Sequence, residues 1–202
     1  MVSDEVDKDL GDESTLVSLL KQGQEDAFRV LVRRYETRVF SIAYGITLDR
    51  EESLDIVQEV FLKVYQNIHG FREESRLSTW LHRITVNLCL NWKKRWKRRF
   101  RWHHQPLERD ESGNDLKSGT EAHYPDALYE KKEFEKIFWD RLNELPEKTR
   151  AVFVLKEVEG LSYDEIAKTL GVRTGTVSSR LFYARKRLKQ SLKQYLEEGK
   201  DS

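Results

Sequence analysis

From residue 24 to 47 the apolar side chains fall at Ala27, Phe28, Leu31, Val32, Tyr35, Val39, Ile42, Ala43 and Ile46. Steps of three and four place them on one face of a long helix. The same period predicts a second helix from about Arg50 to Ile68, with Val57, Phe61, Val64 and Ile68 turned inward. The stretch Gly70 to Ser78 (GFREESRLS) breaks the pattern. A third helix is expected from about Thr79, carrying Trp80, Leu81, Ile84, Leu88 and Trp92 into a basic run. Residues 103–126 show no period and hold Pro106, Pro125, Gly113 and Gly119, which marks a flexible linker. Helical signal returns near Ala127 with Phe134, Ile137, Phe138 and Leu142. Pro146 is expected in the first turn of the helix carrying Val152, Phe153 and Leu155.

The sharpest local pattern is Gly160 to Leu188 (GLSYDEIAKTLGVRTGTVSSRLFYARKRL). Ser162 and Glu165 stand at capping-box spacing, so each side chain can satisfy an orphan donor at a helix start. Ile166, Ala167 and Leu170 supply the buried stripe of a short helix. Gly171 can take the left-handed conformation that ends it, and Val172 plugs the turn. A second helix from near Thr174 buries Val177, Leu181, Ala184, Leu188 and Leu192. Small Ala167 allows the close crossing of a helix-turn-helix, placed at about 163–182.

At 100° per residue, Ser179, Phe182 and Lys186 point away from that buried stripe, flanked by Ser178 and Tyr183. An aromatic ring opposite the core suits a major groove, where it meets thymine methyls or the sugar edge while serines bond bases or phosphates. The expected duplex-contacting set is Arg173, Thr176, Ser178, Ser179, Arg180, Phe182, Tyr183, Arg185 and Lys186. The competing reading packs Phe182 and Tyr183 on another helix.

Charge sharpens this picture through its distribution. The net charge is only +1, yet Lys93 to Arg101 (KKRWKRRFR) holds seven basic residues in nine. Gly171 to Leu196 holds seven basic residues and no acidic one. Two basic regions at the ends of helical segments fit two phosphate-contacting surfaces. Three prolines, ten glycines and 35% charged residues favour helices over a sandwich or barrel. The fold class expected is all-α, with two small helical domains joined by a flexible linker. The boundaries are an acidic tail at 1–13, a first domain at 14–102, the linker at 103–126 and a helix-turn-helix domain at 127–202.

One cysteine, Cys89, provides neither a disulfide framework nor a structural zinc site. His103, His104 and His123 lack partners at ligand spacing, so no metal and no cofactor are expected. The start of the chain is acidic, unlike a signal peptide, and no apolar run approaches the roughly 20 residues of a membrane span. A soluble, cytoplasmic protein without membrane insertion is the expectation.

Two surfaces of the first domain carry candidate chemistry. On the second helix, Asp55, Glu59, Leu62 and Gln66 form a stripe opposite the buried one. Leu62 is an apolar side chain set among carboxylates, as a docking face for a basic partner requires. The following loop and helix offer Phe71, Arg72, Ser75, Ser78, Trp80 and Arg83, with Asn87 and Asn91 continuing the helical stripe. Rings beside amides and cations equip a surface for unpaired bases. The tryptophans also fit a core.

The order DIVQEVFLKVYQ (55–66), FREESRLSTWLHRITVN (71–87), a variable linker and LPEKTRAVFVLKEVEGLSYDEIAKTLGVRTGTVSSRL (145–181) resembles the extracytoplasmic-function sigma factors of bacterial RNA polymerase. The resemblance runs from Ser14 to Leu196 except for the linker. It implies that Asp55, Gln58 and Glu59, with Leu62 and Gln66, dock on the coiled coil of the largest subunit of core polymerase. It implies that the loop from Phe71 to Ser78, with Asn87, captures a flipped base of the −10 element of promoter DNA. The helix from Thr174 to Lys189 would read the −35 element, and the linker would thread the RNA-exit path. An anti-sigma factor is a further implied partner. Tyr183 stands where the family usually has arginine, and Ser178 where a basic residue is common. The basic run after Asn91 is heavier than usual.

Two other classes predict features that can be sought in the same residues. A stand-alone helix-turn-helix regulator predicts a ligand or phospho-acceptor domain in front, and none is legible. A metal-dependent phosphodiesterase built on Asp55 and Glu59 lacks a nucleophile–base set and a phosphate loop. No enzyme activity is expected.

Overall fold

The computed structural model describes residues 12–101 and 136–198, with side chains over 12–92 and 136–193. The acidic segment before Asp12, the linker 103–126, the start near Ala127, Phe134 and the three linker histidines lie outside the described residues. So do the side chains of the basic run from Lys93 to Arg101.

The described residues form eight helices and one 3-10 turn, with no strand among them. In chain order these are α1 (Glu13–Lys21), α2 (Glu25–Thr47), α3 (Arg50–Asn67), the turn Ile68–Gly70, and α4 (Leu77–Arg101). Then come α5 (136–143), α6 (Glu147–Glu157), α7 (Tyr163–Leu170) and α8 (Thr174–Glu198). Two helical parts therefore flank the linker in sequence, as the periodicity predicts.

Local chemistry sets the ends. Asp12 caps α1 by accepting from the Thr15 amide, and Asp49 caps α3 by accepting from the Glu52 amide at 3.0 Å. Pro146 occupies the cap position before α6, one residue earlier than expected, and supplies a fixed φ where no donor is needed. Glu13 does not belong to a tail: it starts α1, and its carboxylate accepts from the Leu77 amide at 2.6 Å, capping α4. That bond begins α4 two residues before the expected Thr79.

The stripe of α2 is buried as the spacing requires, with Leu31, Val39, Ile42 and Ala43 nearly inaccessible. It packs on α1, α3 and α4 on one side and on α6 on the other. On α3, Ile56 and Val60 join the expected Val57, Phe61 and Val64, and the expected Ile68 is buried in the 3-10 turn that follows. The core then continues across the linker-separated parts, from Leu31 and Val86 to Val152, Leu155, Ile166 and Leu181. A Cβ at Gly45 would meet Val154 Cγ2 at 2.8 Å, so glycine is what lets α2 and α6 approach. Leu48 ends α2 in the left-handed region at φ 59, a conformation costing a non-glycine residue roughly 1 kcal/mol. Its side chain joins a small cluster of Leu142, Leu145, Ala184 and Leu188.

Candidate nucleic-acid interface

The helix-turn-helix forms as its residues dictate. The Ser162 amide donates to Glu165 Oε2 at 2.9 Å and the Glu165 amide to Ser162 Oγ at 3.2 Å. The Ser162 amide, and then Ser162 Oγ donating to Glu165 Oε2 at 2.8 Å, hold the Glu165 carboxyl below the usual range. Gly171 ends α7 at φ 63, and Thr174 Oγ1 donates to Asp164 Oδ1 at 3.1 Å across the turn. Val177, Leu181, Ala184 and Leu188 are buried, which fixes the rotation of α8.

That rotation leaves Phe182 at 70% exposure, with Tyr183, Ser178, Ser179 and Lys186 beside it. Arg173 is exposed, while Thr176 and Arg180 are half-buried. Ser179 Oγ donates to the Thr176 carbonyl at 3.1 Å, leaving its lone pairs outward. Arg185 is placed differently from its neighbours. Its Nε and Nη2 both donate to Glu157 Oε1, at 3.0 and 2.6 Å, tying α8 to α6. The partner lies 28 residues upstream, where no local spacing announces it.

The loop before α4 borders a depression of about 320 Å³ lined by Asp12, Glu13, Ser14, Val17, Phe71, Glu73, Ser75 and Arg76, so of the expected residues only Phe71 and Ser75 meet there. Glu73 sits at φ 58 and is pinned by Lys21 Nζ at 2.7 Å, so α1 shapes the loop. Arg72 and Ser75 are exposed and Ser78 half-buried. Phe71 departs from its expected role. It is 5% exposed and leans on Trp80 at a ring separation of 5.1 Å, so it floors the depression instead of offering a free face. The apolar side chain of a short loop finds cover on Trp80 that the sequence pattern did not reveal. Trp80 is half-buried, whereas Arg83, Asn87 and Asn91 form an exposed row along α4.

On α3, Asp55, Gln58 and Gln66 are exposed, Glu59 is half-buried within 3.8 Å of Lys63, and Leu62 is 54% exposed. Two apolar neighbours went unnoticed in the sequence. Leu54 and Tyr65 are exposed on the same side, Tyr65 edge-on to Phe28 at 5.6 Å. They stand at i−8 and i+3 from Leu62, the signal that places them there. Among the described residues no group of three His, Cys, Asp or Glu could hold a metal. No described helix is long and apolar enough to cross a membrane. Cys89 is buried and its thiol is pushed up to about 12 by desolvation, which makes it inert.

The exposed face of α8, the polar row on α4 and the apolar-acidic face on α3 are three separate surfaces of one helical protein. Comparison with known families gives them a context. Residues 31–99 match the family model for sigma-70 region 2, and residues 135–188 match sigma-70, region 4. The chain is 34% identical over 186 residues to the ECF RNA polymerase sigma-E factor of Haemophilus influenzae, covering 89% of this chain and 95% of the relative. It is 35% identical over 182 residues to the sigma-E factor of Escherichia coli K12, covering 86% and 90%. To the RNA polymerase sigma-H factor of Pseudomonas aeruginosa it is 31% identical over 190 residues, covering 91% and 95%. Its fold is shared with CnrH, solved with the cytosolic domain of CnrY, at TM-score 0.62, 21% identity and coverage of 90% and 97%. It is shared also with RpoE of Bartonella quintana, solved with the anti-sigma factor NepR, at TM-score 0.63, 22% identity and coverage of 82% and 96%. The chain belongs to the extracytoplasmic-function sigma factors. It directs promoter-specific transcription.

Proposed function

We propose that three exposed surfaces divide the work of initiation. Asp55, Gln58, Glu59, Leu62 and Gln66 dock core RNA polymerase, with Leu54 and Tyr65 widening the apolar patch. The loop depression and the row Arg83, Asn87 and Asn91 hold the unpaired −10 strand. Ser178, Ser179, Phe182 and Tyr183 read the −35 duplex, while Arg173 and Lys186 hold phosphates. The domain boundaries follow this division at 13–102, with Glu13 moved from the tail into the first domain, 103–126 and 127–202. An anti-sigma factor is an expected partner, as NepR is for the solved RpoE of Bartonella quintana. The protein acts in the cytoplasm, and bond-making belongs to the polymerase.

The observation carrying this reading is the exposed Leu62, flanked by carboxylates, on the face opposite a fully packed stripe. Charge reversal there leaves the core intact but sets cations against a basic partner, an error costing several kcal/mol when desolvated. Asp55→Arg/Glu59→Arg is therefore expected to keep its circular dichroism and lose core-polymerase binding in a pull-down. Retained programming of core enzyme to the same promoter would sink the docking assignment.

A further inference from the structure

Arg185 is already engaged by its own chain. At about 100° per residue it falls about 60° from Phe182 on α8 and about 20° from Ser178, so its backbone stands on the flank of the reading face. Its guanidinium nonetheless turns to α6, where Nε and Nη2 both donate to Glu157 Oε1 at 3.0 and 2.6 Å. The two side chains are 53% and 38% exposed, so neither is buried out of reach of a duplex. Lys156, the cation next to Glu157 in sequence, turns elsewhere. Its Nζ donates to the Leu161 carbonyl at 3.0 Å and lies 5.7 Å from the centre of the Tyr163 ring. Glu157 is thus matched with a residue of the reading helix and not with its neighbour. An exposed pair of this kind adds little stability, and Val177, Leu181, Ala184 and Leu188 already fix the rotation of α8. What the pair changes is the charge that this flank shows to DNA.

We propose that Glu157 withholds Arg185 from the phosphates and so sets how much of the −35 affinity is independent of sequence. The inference rests on the sigma-factor reading of α8. A guanidinium binds carboxylate and phosphate with the same donors, so the two compete for it. Held together, Glu157 and Arg185 carry no net charge toward the duplex. If Arg185 left for a phosphate, the Glu157 carboxylate would stand uncompensated beside DNA anions, which opposes the exchange. Arg173 and Lys186 then hold phosphates while Arg185 does not. Phosphate contacts strengthen every sequence alike, whereas base contacts strengthen only the matching ones. Withholding one phosphate contact therefore keeps poorly matched promoters below occupancy at a given protein concentration. Glu157 acts through Arg185, as a positioning residue that touches no base.

A charge cycle tests this in holoenzyme assembled from core polymerase and the full-length chain, as wild type, Glu157→Ala, Arg185→Ala or Glu157→Ala/Arg185→Ala. The probe is a genomic fragment that the wild-type holoenzyme transcribes, together with a copy whose −35 segment is scrambled. A freed Arg185 adds one phosphate contact. In Glu157→Ala the slope of log affinity against log salt should therefore steepen by about 0.9 on both fragments, about a 3.5-fold greater loss from about 50 to 200 mM salt. Transcript sequencing at limiting protein should show more promoters in use by this variant. In the Arg185→Ala background, the Glu157→Ala change should steepen nothing. A brace that merely holds α8 in place predicts the reverse: weaker binding in Glu157→Ala, an unchanged slope and a lower melting temperature. An unchanged slope would overturn the proposal, and so would a gain that survives Arg185→Ala, which reflects only the loss of a repelling carboxylate. Failure of the wild-type chain to programme core enzyme at any fragment would instead remove the sigma-factor reading. The same cycle on a random-sequence duplex, with the full-length chain alone, would then still report the pair.

Discussion

At the residue scale, legibility follows how far a side chain's environment is set by its own helix. Phe182 was readable because α8 has a regular period and its buried stripe fixes what remains outside. Phe71 was misread because a loop has no period, and only the fold shows that Trp80 covers it. Arg38, His82 and Glu159, which meet where α2 and α4 pack against the end of α6, escaped notice altogether, for they come from three elements 44 and 77 residues apart. The exposed pair on α8 gives a clean division of effects. Phe182→Ala should relax preference among −35 sequences, and Lys186→Ala should weaken all duplexes and flatten the salt dependence. Binding titrations at several salt concentrations on matched and scrambled duplexes check this, and equal loss everywhere for both variants would count against it.

His82 makes a second residue-scale prediction. Burial, and then the nearby Arg38, depress its imidazole to about 4, against the pull of Glu165 from α7. A basic group whose pKa is lower in the packed state contributes fully above its ordinary 6.5 and loses that contribution as pH falls toward 4. Glu159, facing it from the end of α6, runs the other way. Burial raises its carboxyl, against the opposing Arg38, so its contribution grows as pH falls and offsets part of the His82 loss. As pH falls from 6.5 toward 4 the His82 loss has a ceiling of about 1.4 kcal/mol per pH unit. Thermal melts of wild type and His82→Leu across this range should diverge, the variant holding its melting temperature where wild type declines. Parallel curves would mean that His82 does not titrate where the two helical parts meet.

At the element scale, the helices of the first part were legible in their interiors and less so at their starts. The start of α4 depends on Glu13, 64 residues earlier, so no local window contains the cause. Glu13→Ala removes a charge-assisted cap from α4 and a contact between α1 and the end of the loop before α4. The expected cost is about 1–2 kcal/mol, which lowers the melting temperature by a few degrees for a chain of this size. The exposed row on α4 yields a separable effect. Asn87→Ala leaves the docking face and α8 untouched, so closed-complex formation should persist while strand opening fails. Permanganate reactivity of unpaired thymines reads this directly. Normal melting with weakened initial binding would reassign Asn87 to duplex contact.

At the scale of the whole molecule, the aperiodic linker predicts two independent helical parts. Periodicity assigns faces to a core but not to a particular core, and that is why the shared core was invisible. Val152, Val154 and Leu155 of α6 look like the interior of a small C-terminal domain, yet they extend the apolar cluster of α2 and α4. Each such side chain gains about 1.5–3 kcal/mol from full burial. The gain is withheld if α6 faces water after separation. The two parts should therefore unfold together in the wild-type protein, giving one calorimetric transition whose van't Hoff and calorimetric enthalpies agree. Gly45→Ala pushes directly on Val154, where a Cβ would come within 2.8 Å of Cγ2, while favouring α2 by roughly 1 kcal/mol of propensity. If this contact couples the parts, this substitution should split the transition in two, the earlier one belonging to the helix-turn-helix part that has lost its partner surface. If wild type already shows two transitions, coupling is too weak to matter. A single transition merely shifted upward in Gly45→Ala would show that α2 accommodates the methyl without disturbing α6.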